Sequence, residues 1–60
     1  MYEKYVVYRD EKGVTDYAVA KATGIGLSTF TDWKTGRSNP KVDKLAKIAE
    51  FFGIHIEDLI

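Results

Sequence analysis

Glycine spacing constrains this chain more than any other feature of its sequence. Glycines occur at positions 13, 24, 26, 36 and 53, and the single proline is Pro40. Glycine often ends an α-helix, because it adopts the left-handed backbone of the C-terminal cap without strain. The intervals from Gly13 to Gly24, from Gly26 to Gly36 and from Pro40 to Gly53 are 11, 10 and 13 residues, which suit short helices joined by tight turns. The spacing therefore predicts an all-α fold.

The absence of cysteine limits how a chain of 60 residues can be stabilised. Neither a disulfide framework nor a thiolate zinc site is possible, so the fold must depend on packed apolar side chains. The composition allows this, since 45% of the residues are hydrophobic and 13% are aromatic. We expect one domain covering residues 1–60, which is too small for a multidomain enzyme.

Local signals predict a compact bundle of five short helices. Thr15 can cap a helix at 16–23, and Asn39 followed by Pro40 suits the start of a helix at 40–52. Residues 2–12 are rich in strand-forming Tyr and Val, but no second strand is available for pairing, so we expect a helix that buries Tyr5 and Tyr8. The remaining predicted helices are 27–35 and a short one within 56–60.

Residues 16–35 have the spacing of a helix-turn-helix unit. Ala20 is small where two helices would approach closely, and Gly24 suits the turn between them. Four apolar residues would fix the angle between the helices: Val19, Ile25, Phe30 and Trp33. Trp33 is expected in the core rather than on a base, because Phe30 and Trp33 share one helix face.

The surrounding motifs are more specific than this unit alone. They are Ser28-Thr29-Phe30-x-x-Trp33-x-x-Gly36-x-x-x-Pro40, Leu45-x-x-Ile48-Ala49 and Gly53-Ile54-x-x-x-x-Leu59. Over residues 5–60 the chain closely resembles the phage repressor and Cro family of DNA-binding domains, whose fold is lambda-repressor-like. The resemblance implies sequence-specific binding of double-stranded DNA by a transcriptional regulator, most simply a repressor.

The resemblance places residues 27–35 in the major groove as the recognition helix. It implies four base contacts: Leu27, Ser28, Thr31 and Asp32. Leu27 can touch a thymine methyl group, the hydroxyls can donate or accept, and Asp32 can accept from a cytosine amino group. Phosphate contacts would come from Thr29, Lys34, Thr35, Arg37, Ser38, Asn39 and Lys41. Capping, solvation and surface ion pairs are the structural alternatives for the polar residues among them.

Two positions depart from the family pattern. Asp16 stands where a polar amide residue is usual, and a carboxylate there would repel a nearby phosphate. Gly26 stands where Ser or Thr usually caps the recognition helix. Binding is therefore expected to be weaker than usual or oriented by other contacts.

Charge is balanced overall but unevenly distributed. Nine basic and nine acidic side chains give a net charge of zero, yet residues 12–47 carry +4 and residues 48–60 carry −3. This polarity could orient the molecule on a phosphate backbone, although ordinary solvated faces would produce a similar pattern.

A homodimer is expected, because one recognition helix reads only a few base pairs. Related proteins often join through their last helix, which implies an interface at Ile56, Leu59 and Ile60, with Val6 and Val7 as a second choice. The alternative function is a protein-interaction module, such as an antitoxin or anti-repressor, that binds through Tyr5, Val6, Val7 and the acidic tail. Related repressors commonly continue into a further region, so this chain could be one domain of a longer protein.

Other function classes find little support in the sequence. His55 is the only imidazole, and no nucleophile, metal-ligand cluster or phosphate-binding glycine loop accompanies it. We therefore expect no enzyme activity, cofactor, metal or small-molecule substrate. No apolar run approaches a membrane span and no signal peptide is present, so a cytoplasmic location is expected.

Overall fold

Four of the five predicted segments are α-helices in the computed structural model, which describes residues 1–60. They are α1 (Tyr2–Lys12), α2 (Asp16–Thr23), α3 (Leu27–Thr35) and α4 (Val42–Phe52). The all-α prediction is confirmed, but the count of five helices is wrong. The last element, Ile56–Asp58, is a single 3-10 turn in which the amides of Asp58 and Leu59 donate to the carbonyls of His55 and Ile56, three residues before them. No helix of the fold is long and apolar enough to span a bilayer.

Helices α2 and α3 begin and end where local signals predicted. The Thr15 hydroxyl accepts a hydrogen bond from the Ala18 amide at 3.1 Å and so caps α2. Gly24 ends α2 with a φ of 76°, a backbone conformation that other residues rarely adopt. A Cβ at Gly24 would meet no atom within 4 Å, so glycine is needed there for the backbone conformation and not for space.

The predicted start of α4 is wrong by two residues. The helix begins at Val42, and the Lys41 carbonyl accepts the Leu45 amide at 2.9 Å. Asn39 is exposed and its side chain caps nothing, while Pro40 is buried in the segment before the helix. Packing of the proline ring into the domain thus replaces its predicted role as the first helical residue.

The core is built around an aromatic cluster that joins α1 to α3 and α4. Tyr5 is fully buried, and its ring stacks on Trp33 at a centroid distance of 5.1 Å. Phe30 and Phe52 lie 5.5 and 6.0 Å from the same ring. The expected burial of Tyr5, Phe30 and Trp33 is confirmed, while Tyr8 is only partly buried. Because Phe30 and Trp33 point into this cluster, the opposite face of α3 is left uncovered.

The prediction that Leu59 lies in a dimer interface is wrong. Its side chain is fully buried in the core of the single domain, so it presents no apolar surface to a partner. Ile56 is partly buried, whereas Ile60 is 54% exposed. The Lys4 ammonium donates to the Ile60 carbonyl at 2.6 Å, which holds Ile60 beside α1.

Candidate nucleic-acid interface

The outward face of α3 carries the side chains for which base contacts were predicted. Ser28 and Thr31 are exposed, and Asp32 is partly exposed. Leu27, the first residue of α3, is 46% exposed although it is a large apolar side chain. Residues three, four and seven apart share a helix face, so Thr35 lies on the same face as Ser28.

Two of the three hydroxyl groups on this face, those of Thr31 and Thr35, have partners in their own helix. Thr31 Oγ1 donates to the Leu27 carbonyl at 3.4 Å, and Thr35 Oγ1 donates to the Asp32 carbonyl at 3.2 Å. A hydroxyl that donates in this way retains acceptor capacity and can rotate toward another partner. Ser28 makes no hydrogen bond through its side chain and is the least engaged of the three.

Asp32 and Arg37 form a loose pair at the end of α3. Arg37 Nη1 lies 4.0 Å from Asp32 Oδ1, and the Arg37 side chain is 80% exposed. An exposed pair at this distance contributes little, so Arg37 is available to another anion. The backbone is better fixed, since the Asp32 carbonyl accepts the amides of Arg37 and Ser38 at 2.8 and 3.3 Å.

Basic and polar side chains continue from α3 into the segment before α4. Lys34, Arg37 and Lys41 are all exposed, and Asp32 is the only acidic residue between positions 27 and 41. The remaining predicted phosphate contacts differ in accessibility: Thr35, Ser38 and Asn39 are exposed, but Thr29 is partly buried. The stretch from α3 to the start of α4 thus exposes three cations against one carboxylate.

Asp16 is held by three groups of α1 and is not a free surface charge. Its carboxylate accepts hydrogen bonds from the Tyr5 hydroxyl at 2.7 Å, the Tyr2 hydroxyl at 2.9 Å and Arg9 Nη1 at 3.1 Å. The Arg9 and Asp16 side chains are each 23% exposed. This cluster fastens the N-terminus of α2 to α1.

The same cluster changes the ionisation of its members. Burial alone would raise the pKa of Asp16, but the hydrogen bonds from Tyr5, Arg9 and Tyr2 outweigh it and hold that pKa below its ordinary value. Burial and the Asp16 carboxylate raise the pKa of Tyr5, which remains a donor. The guanidinium of Arg9 is shared between Asp16 at 3.1 Å and Asp10 at 2.9 Å, so it offsets the Asp16 charge only in part, and the repulsion of phosphate expected from the sequence is reduced only in part.

Two exposed residues of α2, Tyr17 and Lys21, lie next to the exposed face of α3. They were not predicted as site residues from the sequence. Together with Leu27 they line a groove between α2 and the start of α3. Tyr17 is 62% exposed and Lys21 is exposed. Their spacing of four residues, on the flank of α2 that borders the turn, is the signal that could have identified them.

No group of three or more His, Cys, Asp or Glu side chains is arranged to hold a metal ion. His55 is exposed, and its backbone amide donates to Asp58 Oδ2 at 3.0 Å within the C-terminal turn. The candidate site consists of the exposed side chains of α3 and its neighbours.

Comparison with known proteins places the chain in a family. The helix-turn-helix family model matches residues 8–59. The chain is 31% identical over 52 residues to the cryptic phage CTXphi transcriptional repressor RstR of Vibrio cholerae, with 87% of this chain and 47% of that protein covered. It is 34% identical over 59 residues to the uncharacterized HTH-type transcriptional regulator MJ0272 of Methanocaldococcus jannaschii, with 98% and 89% covered.

A third relative, an uncharacterized HTH-type transcriptional regulator of Haemophilus influenzae, is 47% identical over 38 residues, which cover 63% of this chain and 16% of that protein. The chain thus spans less than half the length of the Vibrio and Haemophilus relatives. No solved structure matches the chain. The chain belongs to the helix-turn-helix family, and the relatives it matches are named transcriptional repressor or regulators.

Proposed function

We propose that this domain binds duplex DNA sequence-specifically and acts as the DNA-reading part of a transcriptional repressor. The observation that carries the proposal is the uncovered face of α3, which is polar, exposed and flanked by cations. The Vibrio relative is named a transcriptional repressor, which supports repression as the outcome. In helix-turn-helix proteins the second helix of the motif lies in the major groove, which is the role proposed for α3.

The four base contacts proposed for α3 differ in chemistry. Ser28 and Thr31 carry hydroxyls that can donate to or accept from base edges. The Asp32 carboxylate can accept from a cytosine amino group, and its loose contact with Arg37 leaves it free to do so. Leu27 offers only apolar contact.

The proposed phosphate contacts surround this face. Lys34, Arg37 and Lys41 supply charge, while Thr35, Ser38 and Asn39 supply hydrogen-bond donors. Thr29 is partly buried, so its contribution would be the smallest among the side chains of this set. Contacts to phosphate give affinity and register without selecting a sequence.

Variants at these positions separate phosphate contacts from base contacts. Lys34→Ala and Arg37→Ala are expected to weaken binding to all duplex sequences and to reduce the slope of log affinity against log salt by about one each. Ser28→Ala and Asp32→Ala are expected to change which sequences are preferred. Fluorescence anisotropy on several duplexes, over a range of salt, measures both effects. Lys47→Ala, an exposed lysine on α4, is the matched control. Uniform behaviour of all four variants would contradict the proposed docking.

Salt dependence also separates this function from the alternative of a protein-interaction module. Phosphate-driven binding weakens steeply as salt rises, because counterions are released from DNA. Apolar association with a protein partner lacks that dependence. DNA binding that is absent at low salt would leave the protein-interaction function as the better account.

We further propose that the domain acts as a homodimer, with Ile60 and Ile56 contributing apolar contact. Ile60 is exposed beside α1, where Val7 is 57% exposed and Val6 is partly buried. The two predicted interfaces, one at the C-terminal isoleucines and the other at Val6 and Val7, thus lie next to each other. A two-fold contact there would place two recognition helices on the half-sites of one operator.

Ile60→Lys is expected to shift the protein from dimer to monomer at micromolar concentration and to weaken binding to a full operator more than to a half-site. Sedimentation equilibrium measures the first effect. Val42→Lys, at an apolar position that is 69% exposed on α4, is the matched control and is expected to leave the oligomeric state unchanged. A dimer that tolerates Ile60→Lys, or a wild type that stays monomeric with and without operator DNA, would overturn this interface.

A further inference from the structure

The groove between α2 and the start of α3 combines exposed apolar side chains with a single lysine. Two of the five large apolar side chains that the fold leaves exposed, Tyr17 and Leu27, line it. Gly24 and Gly26 form part of its wall and add no side chain, so the ring and the leucine methyl groups are accessible. Lys21 is the only charged residue of this groove, and no carboxylate lies on it.

A ligand that combines an apolar group with a negative charge would complement this groove. Exposed apolar side chains favour burial of a methyl or methylene group, and Lys21 favours an anion beside it. A DNA strand has both features when the base is a 5-methylpyrimidine, because thymine projects its C5-methyl group into the major groove next to the phosphate backbone. The groove is also continuous with the proposed recognition face, since Leu27 is the first residue of α3.

We infer that the groove formed by Tyr17, Lys21 and Leu27 reads the 5-methyl group of a thymine in the operator. This inference rests on the proposed function and adds two α2 residues to it. The Leu27 side chain and the Tyr17 ring pack against the methyl group, and the Lys21 ammonium contacts an adjacent phosphate. Tyr17 and Leu27 thereby select a base, whereas Lys21 adds affinity for every sequence.

Substitution of single thymines by deoxyuridine in a selected operator tests the base-reading part, because it removes the methyl group and leaves the base pairing unchanged. Wild-type affinity is expected to fall about threefold to fivefold at one position of each half-site, the effect of burying one methyl group. Leu27→Ala and Tyr17→Ala are expected to lose most of this preference for thymine over uracil. Val42→Ala, which truncates an exposed apolar side chain outside the groove, is the control that should keep it.

Lys21→Ala tests the phosphate contact independently. Its affinity is expected to fall equally for the thymine and uracil operators, with a salt slope reduced by about one, while Lys47→Ala leaves both unchanged. Tyr17 and Lys21 are exposed, so these variants should fold as the wild type does, which circular dichroism verifies.

The inference is overturned if every uracil substitution is neutral, or if Leu27→Ala and Tyr17→Ala keep the full preference for thymine. An unchanged affinity of Lys21→Ala would remove the phosphate contact. Failure of the wild type to bind any duplex is a different result, which would contradict the proposed function itself.

Discussion

Leu59→Ala is expected to destabilise the domain by about 3–5 kcal/mol, because it leaves a cavity at a fully buried position. A chain of 60 residues has a total stability of roughly 3–9 kcal/mol, so most of it would be lost. Thermal unfolding followed by circular dichroism would show a large fall in Tm, or no folded state at 25 °C.

Val42→Ala is the matched control for Leu59→Ala. The Val42 side chain is 69% exposed and lies outside the proposed dimer contact, so its truncation should change the free energy of unfolding by less than about 0.5 kcal/mol. The pair distinguishes a core role for Leu59 from a role in dimerisation. If Leu59→Ala left the monomer stable and affected only its association, the assignment of Leu59 to the core would be wrong.

Asp16→Ala is expected to reduce the free energy of unfolding by about 2–3 kcal/mol. The substitution removes the carboxylate that accepts hydrogen bonds from Tyr2, Tyr5 and Arg9. Hydrogen bonds to charged groups contribute more to stability than those between neutral groups. For a domain of this size the expected fall in Tm is roughly 10 °C or more. Urea unfolding measures the loss. Glu50→Gln, at an exposed acidic position that forms no ion pair, should have little effect. Equal stability of Asp16→Ala and wild type would show that the cluster contributes nothing net.

The Asp16 cluster also predicts how stability depends on pH. The pKa of Asp16 is lower in the folded state than in the unfolded chain, where it is about 3.9. Its stabilisation is therefore fully present above that value and is lost as the pH falls through the folded-state pKa. Urea unfolding between pH 6 and pH 2 should show a steeper loss of stability in the wild type than in Asp16→Ala. Parallel pH profiles for the two proteins would contradict this linkage.

The central helices could be predicted because their boundaries are set by neighbouring residues. Thr15 caps α2 through an amide three residues away, and Gly24 and Gly36 end α2 and α3 with a left-handed backbone. The burial of Phe30 and Trp33 follows equally from their spacing on one helix. Such signals depend little on the rest of the fold.

Other features depended on tertiary packing that no local pattern reports. Helix α4 begins at Val42 and not at Pro40 as predicted. Pro40 suits the first helical turn by its sequence position, but in the structure it is buried in the segment before the helix. Leu59 and Ile60 are adjacent and equally apolar, yet one is buried and the other exposed. Which of them faces the core is decided by how the C-terminal turn meets α4.

The candidate site likewise contains residues that the sequence predicted and residues that only the tertiary structure identifies. The resemblance to repressors indicated the α3 residues, and the structure leaves Ser28 and Thr31 exposed. The partners of Asp16 lie on α1, seven or more positions away, so these contacts were not predictable from the sequence of α2. Tyr17 was overlooked because an exposed aromatic residue is recognised only once its surroundings are known.

The most direct test of the account is selection of binding sites from a random pool of duplex DNA at near-physiological salt. The protein as it stands is incubated with the pool, and the retained DNA is sequenced after several rounds. If the domain binds as proposed, the retained DNA is enriched in an inverted repeat whose half-sites lie about one helical turn apart, centre to centre. A retained pool that is no different from the starting pool would contradict sequence-specific DNA binding by this domain.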